Sequence, residues 1–442
     1  MRFCTACLSL AFVFCALQIA AAADEWPQFR GPDGQGHAPN ANPPTQWSEE
    51  QNVAWKTALP GSGHSSPVIG GGLIWLTYAL DQGKSLGVAA VDVKSGKIVR
   101  QREILTTDVV LSVNAKNSHA SPTAVLDGDR LYVHYGSSGT ACVSTADAQP
   151  LWTNTDLKVD HQEGPGSSPI LWGDLLIVHC DGRDLQYIAA LDKRTGRLAW
   201  KTDRSGELPE KTDFRKAFCT PLVIELEDGE SEDGESEDGE SDDGPLLISP
   251  AAQRVFAYRP ATGEEVWSVE YSPGFSNVPR PLFGHGLLYI CTGYMRPELW
   301  AIRPGGRGDV TSTNVAWKFK QNAPANPSPL LVGDELYLVS DAGIATCLDA
   351  KSGKQIWRQR LGGSYSASPL YAAGRIYFCN EAGETTVIEA GRSYRQLAKN
   401  ELDAGIMASP AAIDSALFVR TRTHLYRLEN SRSAVAGVLP AK

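Results

Sequence analysis

The chain is short of several things that would have named a chemistry at once. It carries no GxxxxGK[ST] loop to cradle phosphates, no GxSxG elbow for a nucleophilic serine and no HExxH pair for zinc. No CxxCH stands ready for covalent haem, and no two of the nine cysteines are adjacent. Only 3 methionines occur in 442 residues, and no stretch keeps a helical apolar period. After the first 23 residues no run is apolar for long enough to span a bilayer. Its 41 Lys and Arg are scattered, which argues against a nucleic-acid footprint.

What is abundant is punctuation. The 42 Gly and 27 Pro suit a chain that turns every few residues. With 42% hydrophobic residues the chain can bury a large core, and length alone would suggest two or three domains. The net charge of -10 is concentrated between Glu227 and Gly244, where eleven acidic residues lie, so the rest is close to neutral. That run is expected to be a disordered, solvated insert; weak calcium binding is the other reading of its spacing.

Residues 1–23 read as a signal peptide: Arg2, an apolar run, then Ala21-Ala22-Ala23 before Asp24. An exported protein, periplasmic or extracellular, is therefore expected, without a transmembrane segment after cleavage. Six cysteines would remain, one per repeat, at equivalent strand positions. Equivalent sites in different units stand too far apart for S–S geometry, so buried thiols are expected rather than disulfides.

The organising stretch is ALDKRTGRLAW, Ala190 to Trp200. Asp192, Gly196 and Trp200 recur at the same spacing as Asp349, Gly353 and Trp357 in CLDAKSGKQIW. AYRPATGEEVW keeps Gly263 and Trp267, and AVDVKSGKIVR keeps Asp92 and Gly96 but ends in Arg100. Each is an apolar strand, a turn that uses Gly for positive φ, and a second strand bearing an aromatic. Trp55, Trp152 and Trp317 occupy related strands. Eight prolines (67, 122, 169, 221, 281, 329, 369 and 410) open eight units, each after a Ser-Pro-like step and before a β-rich run such as LIWLTY or ELYLVS.

Units of four short strands, forty to sixty residues apart, define an all-β, eight-bladed β-propeller of antiparallel blades. The last unit stops after its third strand, and NVAWKTAL at 52–59 has no upstream partner. The N-terminal strand bearing Trp55 is therefore expected to complete the last blade and close the ring. The division is a signal peptide (1–23), a lead-in (24–51), the propeller (52–430, with the insert at 227–244) and a tail (431–442). His37 and Asp33 of the lead-in fall in turns of GPDGQGH.

The docking hairpins resemble the tryptophan-docking motif of pyrroloquinoline-quinone (PQQ) type propeller repeats, shared by quinoprotein alcohol dehydrogenases and the assembly factor BamB. WPQFRGPDGQG, Trp26 to Gly36, is similar to the lead-in of exported PQQ-like repeat proteins. For a quinoprotein the resemblance implies PQQ over the ring centre, calcium on carboxylate and amide oxygens, a catalytic Asp and often a vicinal disulfide. This sequence offers no Cys-Cys pair and no Asp beside the innermost strands, so no catalytic residue is carried over.

The loops at one ring mouth present His64, Asn117, His119, Arg215, Lys216, Asn277, Arg280, Asn326 and Tyr365. Arg215, Lys216 and Arg280 could form a cationic patch for carboxylate or phosphate. His64 and His119, at related positions, lack a third metal ligand. The favoured reading is a monomeric, non-catalytic binding or scaffolding module for another envelope or secreted protein, or for a small anionic ligand, with no cofactor. The alternative is an oxidoreductase using PQQ and calcium. Carbohydrate binding is a third reading, weakened because docking claims most tryptophans.

Overall fold

The computed structural model describes residues 25–226, 244–271 and 273–431. The signal-peptide reading, residues 227–243 of the acidic insert and residues 432–442 of the tail fall outside the described residues. Among those described, eight antiparallel four-stranded sheets form the ring, and α-helix is confined to Thr311–Asn314. Each blade runs from a three-residue innermost strand, such as Val68–Gly70, to a fourth strand, which is half-exposed in Ile98–Thr106 and largely buried in Glu265–Glu270. Blades 1 to 7 follow the chain in order. Blade 8 takes Ala411–Ile413, Ala416–Arg420 and His424–Glu429 from the C-terminal side and Val53–Ala58 from the N-terminal side. The latter pairs antiparallel, Lys56 opposite Tyr426 and Ala58 opposite His424, so the ring closes as expected.

The core lies between blades. One apolar cluster joins Ile248 and Val255 of blade 4 to Leu288 and Ile302 of blade 5, and another joins Val133 and Val143 of blade 2 to Trp75 and Val88 of blade 1. All six described cysteines are free and buried. Burial pushes the thiol of Cys180 up to about 12 and that of Cys379 up to about 11, which keeps them protonated and inert.

The docking motif works across the blade boundary. Trp55, Trp152, Trp200, Trp317 and Trp357 donate Nε1–H to Val93, Lys193, Pro260, Ala350 and Gly391 of the following blade at 3.0–3.2 Å. The indole lies against the turn glycine: a Cβ on Gly196 would stand 2.4 Å from Trp152 Cε3, and on Gly353 2.6 Å from Trp317 Cε3. The aspartate shapes the turn, Asp192 Oδ1 accepting Thr195 N at 2.8 Å and Thr195 Oγ1 at 2.7 Å.

The exceptions follow from the same geometry. In blade 2 the turn position is Ala148, with φ 60° and a Cβ of its own; blade 1 presents no tryptophan there, and Arg100 bonds the Ala146 carbonyl instead. Trp267 meets no such turn. The insertion before Trp317 adds Gly308–Asp309 alongside Glu265–Glu270 and covers Trp267 completely, leaving its Nε1 without a partner among the described residues.

Gly196→Ala should therefore destabilise the protein by at least about 1–3 kcal/mol, combining positive φ with a clash against a flat, immobile ring. Urea denaturation measures it, with Gly173→Ala as the control, because a Cβ there meets nothing within 4 Å at a similar φ of 55°.

Candidate functional site

Ser66, Thr123, Ser168, Thr220, Ser328, Ser368 and Ser409 sit at the start of seven innermost strands. Each hydroxyl accepts a backbone N–H from the blade before it: Ser66 N to Thr123 Oγ1, Thr123 N to Ser168 Oγ, and onward to Ser409 N on Ser66 Oγ, all at 2.9–3.1 Å. Seven such bonds make a collar around the axis, each contributing about 0.5–1.5 kcal/mol. Its one gap lies between Thr220 and Arg280, because blade 5 puts arginine where the others put a hydroxyl. In blade 2 the hydroxyl is Thr123, after Pro122 rather than before the proline.

The lead-in closes one end of this collar. Trp26 bridges Ile69 of blade 1, the Pro27 carbonyl takes Leu126 N of blade 2, and Gln35 Oε1 takes Phe283 N of blade 5. His37 bonds the Leu331 carbonyl of blade 6 at 2.6 Å, and His37–Ala38 adds a parallel strand to blade 7. Trp47 then stacks on Tyr377. Phe29 is the lead-in residue that lines the mouth cavity and so supplies its floor.

Above the floor the collar opens into a mouth cavity of about 840 Å³. On one side Phe214 stacks on Phe275 with centroids 4.5 Å apart, and Tyr294 meets Phe275 edge-on at 5.7 Å. Tyr294 and the neighbouring Met295 are each 59% exposed. Met295 and Ser276 hold positive φ, which fixes these loop tips.

The polar side is spent internally. Lys216 reaches Glu163 Oε1 at 2.9 Å and Gln162 Oε1 at 2.6 Å, and Lys116 pairs with Glu381 at 2.9 Å. Asn117 donates to the Glu163 and Pro165 carbonyls. Asp341 accepts Ala325 N at 2.7 Å and the Asn326 amide. Burial works against the Glu163 carboxylate, but the bonds from Lys216 and Asn114 outweigh it and hold its pKa below the usual range. Burial, with Arg420 and Arg422 nearby, drives His64 down to about 4, so it is neutral at pH 7.

The other residues singled out from the sequence go elsewhere. Arg215 staples its own loop through the Pro209 carbonyl at 2.6 Å. Arg280 lies beneath the floor and donates to the Phe29 carbonyl at 2.9 Å. Arg215, Lys216 and Arg280 are thus three separate anchors, not one cationic patch. Asn277 is buried and donates to Tyr271 Oη and the Cys291 carbonyl, and Tyr365 is 1% exposed. His119 bonds the Leu111 carbonyl at 2.8 Å and packs on Gly83. It lies two residues out of register with His64, because Thr123 answers to Ser66. Among the described residues no three His, Cys, Asp or Glu converge as a metal site.

Phe29, Phe214, Phe275, Tyr294 and Met295 were not singled out from the sequence. The available signal was the Phe in FRKAF and FSNVPRP and the Tyr-Met of GYMRP, apolar residues inside otherwise polar loops.

A closed ring of eight blades, sealed by an N-terminal strand and tied by tryptophans on Asp/Gly turns, is a PQQ-type repeat propeller. Residues 29–202 and 186–436 match the family described as outer membrane protein assembly factor BamB, and the chain belongs to that family. No curated protein sequence matches it. Among solved structures it is similar to BamB from Moraxella catarrhalis, with 12% identity and a TM-score of 0.56 over 85% of this chain and 99% of that one. It is also similar to a europium-containing methanol dehydrogenase, with 11% identity and a TM-score of 0.63 over 90% and 89%. A quinohemoprotein alcohol dehydrogenase from Comamonas testosteroni gives 10% identity and a TM-score of 0.63 over 94% and 82%. At such identities the likeness is one of fold.

Proposed function

We propose that the protein is an exported, non-catalytic binding or scaffolding propeller that engages another envelope or secreted protein through this mouth; a family described as an outer membrane assembly factor supports a protein-binding role. The observation that carries the reading is the rim: Tyr294 and Met295 stand exposed beside the stacked Phe214 and Phe275, while the polar groups opposite are already paired with one another. Exposed aromatic and Met side chains bordering a cavity are what protein partners bury. Among the described residues no helix is long and apolar enough to cross a membrane.

The rival reading, a PQQ- and calcium-dependent oxidoreductase, fits these residues badly. PQQ is a tricarboxylate. The two lysines lining the cavity already hold Glu163 and Glu381, His64 is neutral, and both oxygens of Asp341 are taken. Calcium asks for six to eight oxygens that are free to turn toward it.

Titration with PQQ, with and without calcium, read by tryptophan quenching and thermal shift, is expected to give no saturable response at tens of micromolar. Saturable stoichiometric binding would overturn the reading. A photo-crosslinker replacing Tyr294 is expected to give a discrete adduct in cells, and one replacing Lys351 on the opposite face to give none.

A further inference from the structure

The lead-in does more than plug the ring, because it buries two like charges together. Arg30 is 2% exposed and Arg280 is 3% exposed, and both guanidiniums lie under the same turn, Phe29 to Gly36. Arg280 Nη1 donates to the Phe29 carbonyl at 2.9 Å, and Arg30 Nη2 to the carbonyls of Pro329 at 2.7 Å and Gln35 at 2.5 Å. The turn folds directly over them. A Cβ on Gly34 would stand 2.2 Å from Arg280 Nη1, and one on Gly36 2.8 Å from Arg30 Nη2.

These bonds leave donors over. Nε and Nη1 of Arg30 and Nε of Arg280 are buried without an acceptor among the described residues. Buried polar groups are ordinarily satisfied, and buried charges ordinarily paired. Elsewhere the Arg204 side chain takes Asp181 at 3.1 Å, and buried Arg420, which has no acid partner among the described residues, stands alone and spends its Nη1 and Nη2 on Ser65 and Thr77; of the described residues only Arg30 and Arg280 bring two such groups together. The acid nearest this pair, Asp33, bonds His37 Nδ1 at 2.5 Å and Gln35 N at 2.8 Å, and neither guanidinium. Its charge is shared with a histidine whose pKa is raised: burial opposes protonation of His37, but the hydrogen bond and charge of Asp33 outweigh it.

We infer that Arg30 and Arg280, beneath the Phe29 floor, hold a small inorganic anion of the halide class that neutralises their shared charge and takes up the unpartnered N–H groups. The guanidinium suits this task because it stays protonated and presents several donors in a plane. Burial and the neighbouring Arg280 lower Arg30 to about 9, and burial lowers Arg280 to about 10; an anion between them would relieve that strain. The enclosure favours a compact ion over an organic acid, since the lead-in glycines already touch the guanidiniums. The site is structural and separate from the mouth: the ion fastens the plug to blades 5 and 6.

Crystals of the full protein grown in bromide test this by anomalous diffraction. One bromide peak within contact distance of both guanidiniums is the expected result; its absence in the wild type overturns the inference whatever the melting data show. In solution, at constant ionic strength made up with gluconate, chloride should raise the melting temperature saturably in the wild type. Arg280→Met should fold and lose that chloride dependence while its response to total ionic strength is unchanged. Equal melting curves in chloride and gluconate for a wild type freed of halide by refolding would count against the site.

Discussion

Replacing Arg204 by methionine should destabilise the protein by about 3–5 kcal/mol, the penalty for leaving one buried charge without its partner. The Arg204 side chain is 2% exposed. It reaches Asp181 Oδ1 at 3.1 Å, His179 Nδ1 at 3.0 Å, Ser249 Oγ at 2.8 Å and Tyr258 Oη at 3.1 Å, and it lies over the rings of Phe256 and Tyr258. The network ties blade 3, which holds His179, Asp181 and Arg204, to blade 4, which holds Ser249, Phe256 and Tyr258. Burial alone would disfavour the Asp181 carboxylate, but Arg204 and His179 outweigh it and hold its pKa below 3.8. In the wild type this group therefore stabilises the fold above the usual carboxylate range, and that contribution is lost as pH falls through the folded value. In Arg204→Met the sign reverses. Burial now dominates, the Asp181 pKa rises above its unfolded value, and the variant regains stability as pH falls. Urea unfolding from pH 7 to pH 4 measures both slopes. The double variant Arg204→Met with Asp181→Leu should recover most of the loss, since an apolar pair can replace a buried ion pair at little penalty. Equal losses in the single and double variants would show that packing, not charge, governs the site.

How much of this was legible in the sequence depends on whether a residue's role is set locally. Gly196 and Asp192 are read easily because turn and cap lie within five residues, and Trp152 because its partner turn is a repeat of the same motif. The blade count and the closing strand at Trp55 follow from the same local grammar. Asn277, Tyr365 and Arg215 lie in mouth loops and are polar, which is all a sequence shows; whether they face the cavity depends on loops from neighbouring blades. Lys216 lines the mouth, yet its ammonium is committed to Glu163, which lies 53 positions earlier in the chain. Arg280 directly precedes Pro281, which in the sequence places it with the mouth loops. In fact it fills a collar position where other blades put a hydroxyl, and its longer side chain passes beneath the floor to Phe29, 251 positions away. His64 and His119 each stand three residues before a proline, Pro67 and Pro122, but blade 2 places its collar hydroxyl after the proline, so the two histidines are not equivalent. The aromatic rim is not legible in the sequence, because Phe214, Phe275 and Tyr294 come from three loops that only the closed ring brings together.

Ring closure should carry the second large effect. A chain beginning at Leu59 lacks the lead-in and the strand Val53–Ala58, and with them Trp26, Trp47 and Trp55. Trp26 and Trp47 are 1% and 4% exposed, and Trp55 packs on the blade 1 turn and tilts against Phe418. Each tryptophan lost from such a setting is worth about 3–5 kcal/mol, and a native protein holds only about 5–15 kcal/mol in reserve. The truncated chain should therefore not persist as a closed monomer. The outer strand of what remains of blade 8, His424–Glu429, would present unpaired backbone groups that another chain can pair with. Light scattering should then show dimers and larger species, and calorimetry the loss of the native transition. A synthetic peptide of residues 25–58 added in trans should restore the monomer, because it carries both the register of Lys56 with Tyr426 and the indole that seals blade 8 onto blade 1. If the peptide carries Trp55→Ala, strand pairing remains but the inter-blade bond to Val93 is lost, and rescue should weaken. A truncated chain that stays monomeric and melts where the full chain does would show that seven complete blades and a three-stranded eighth hold the ring unaided.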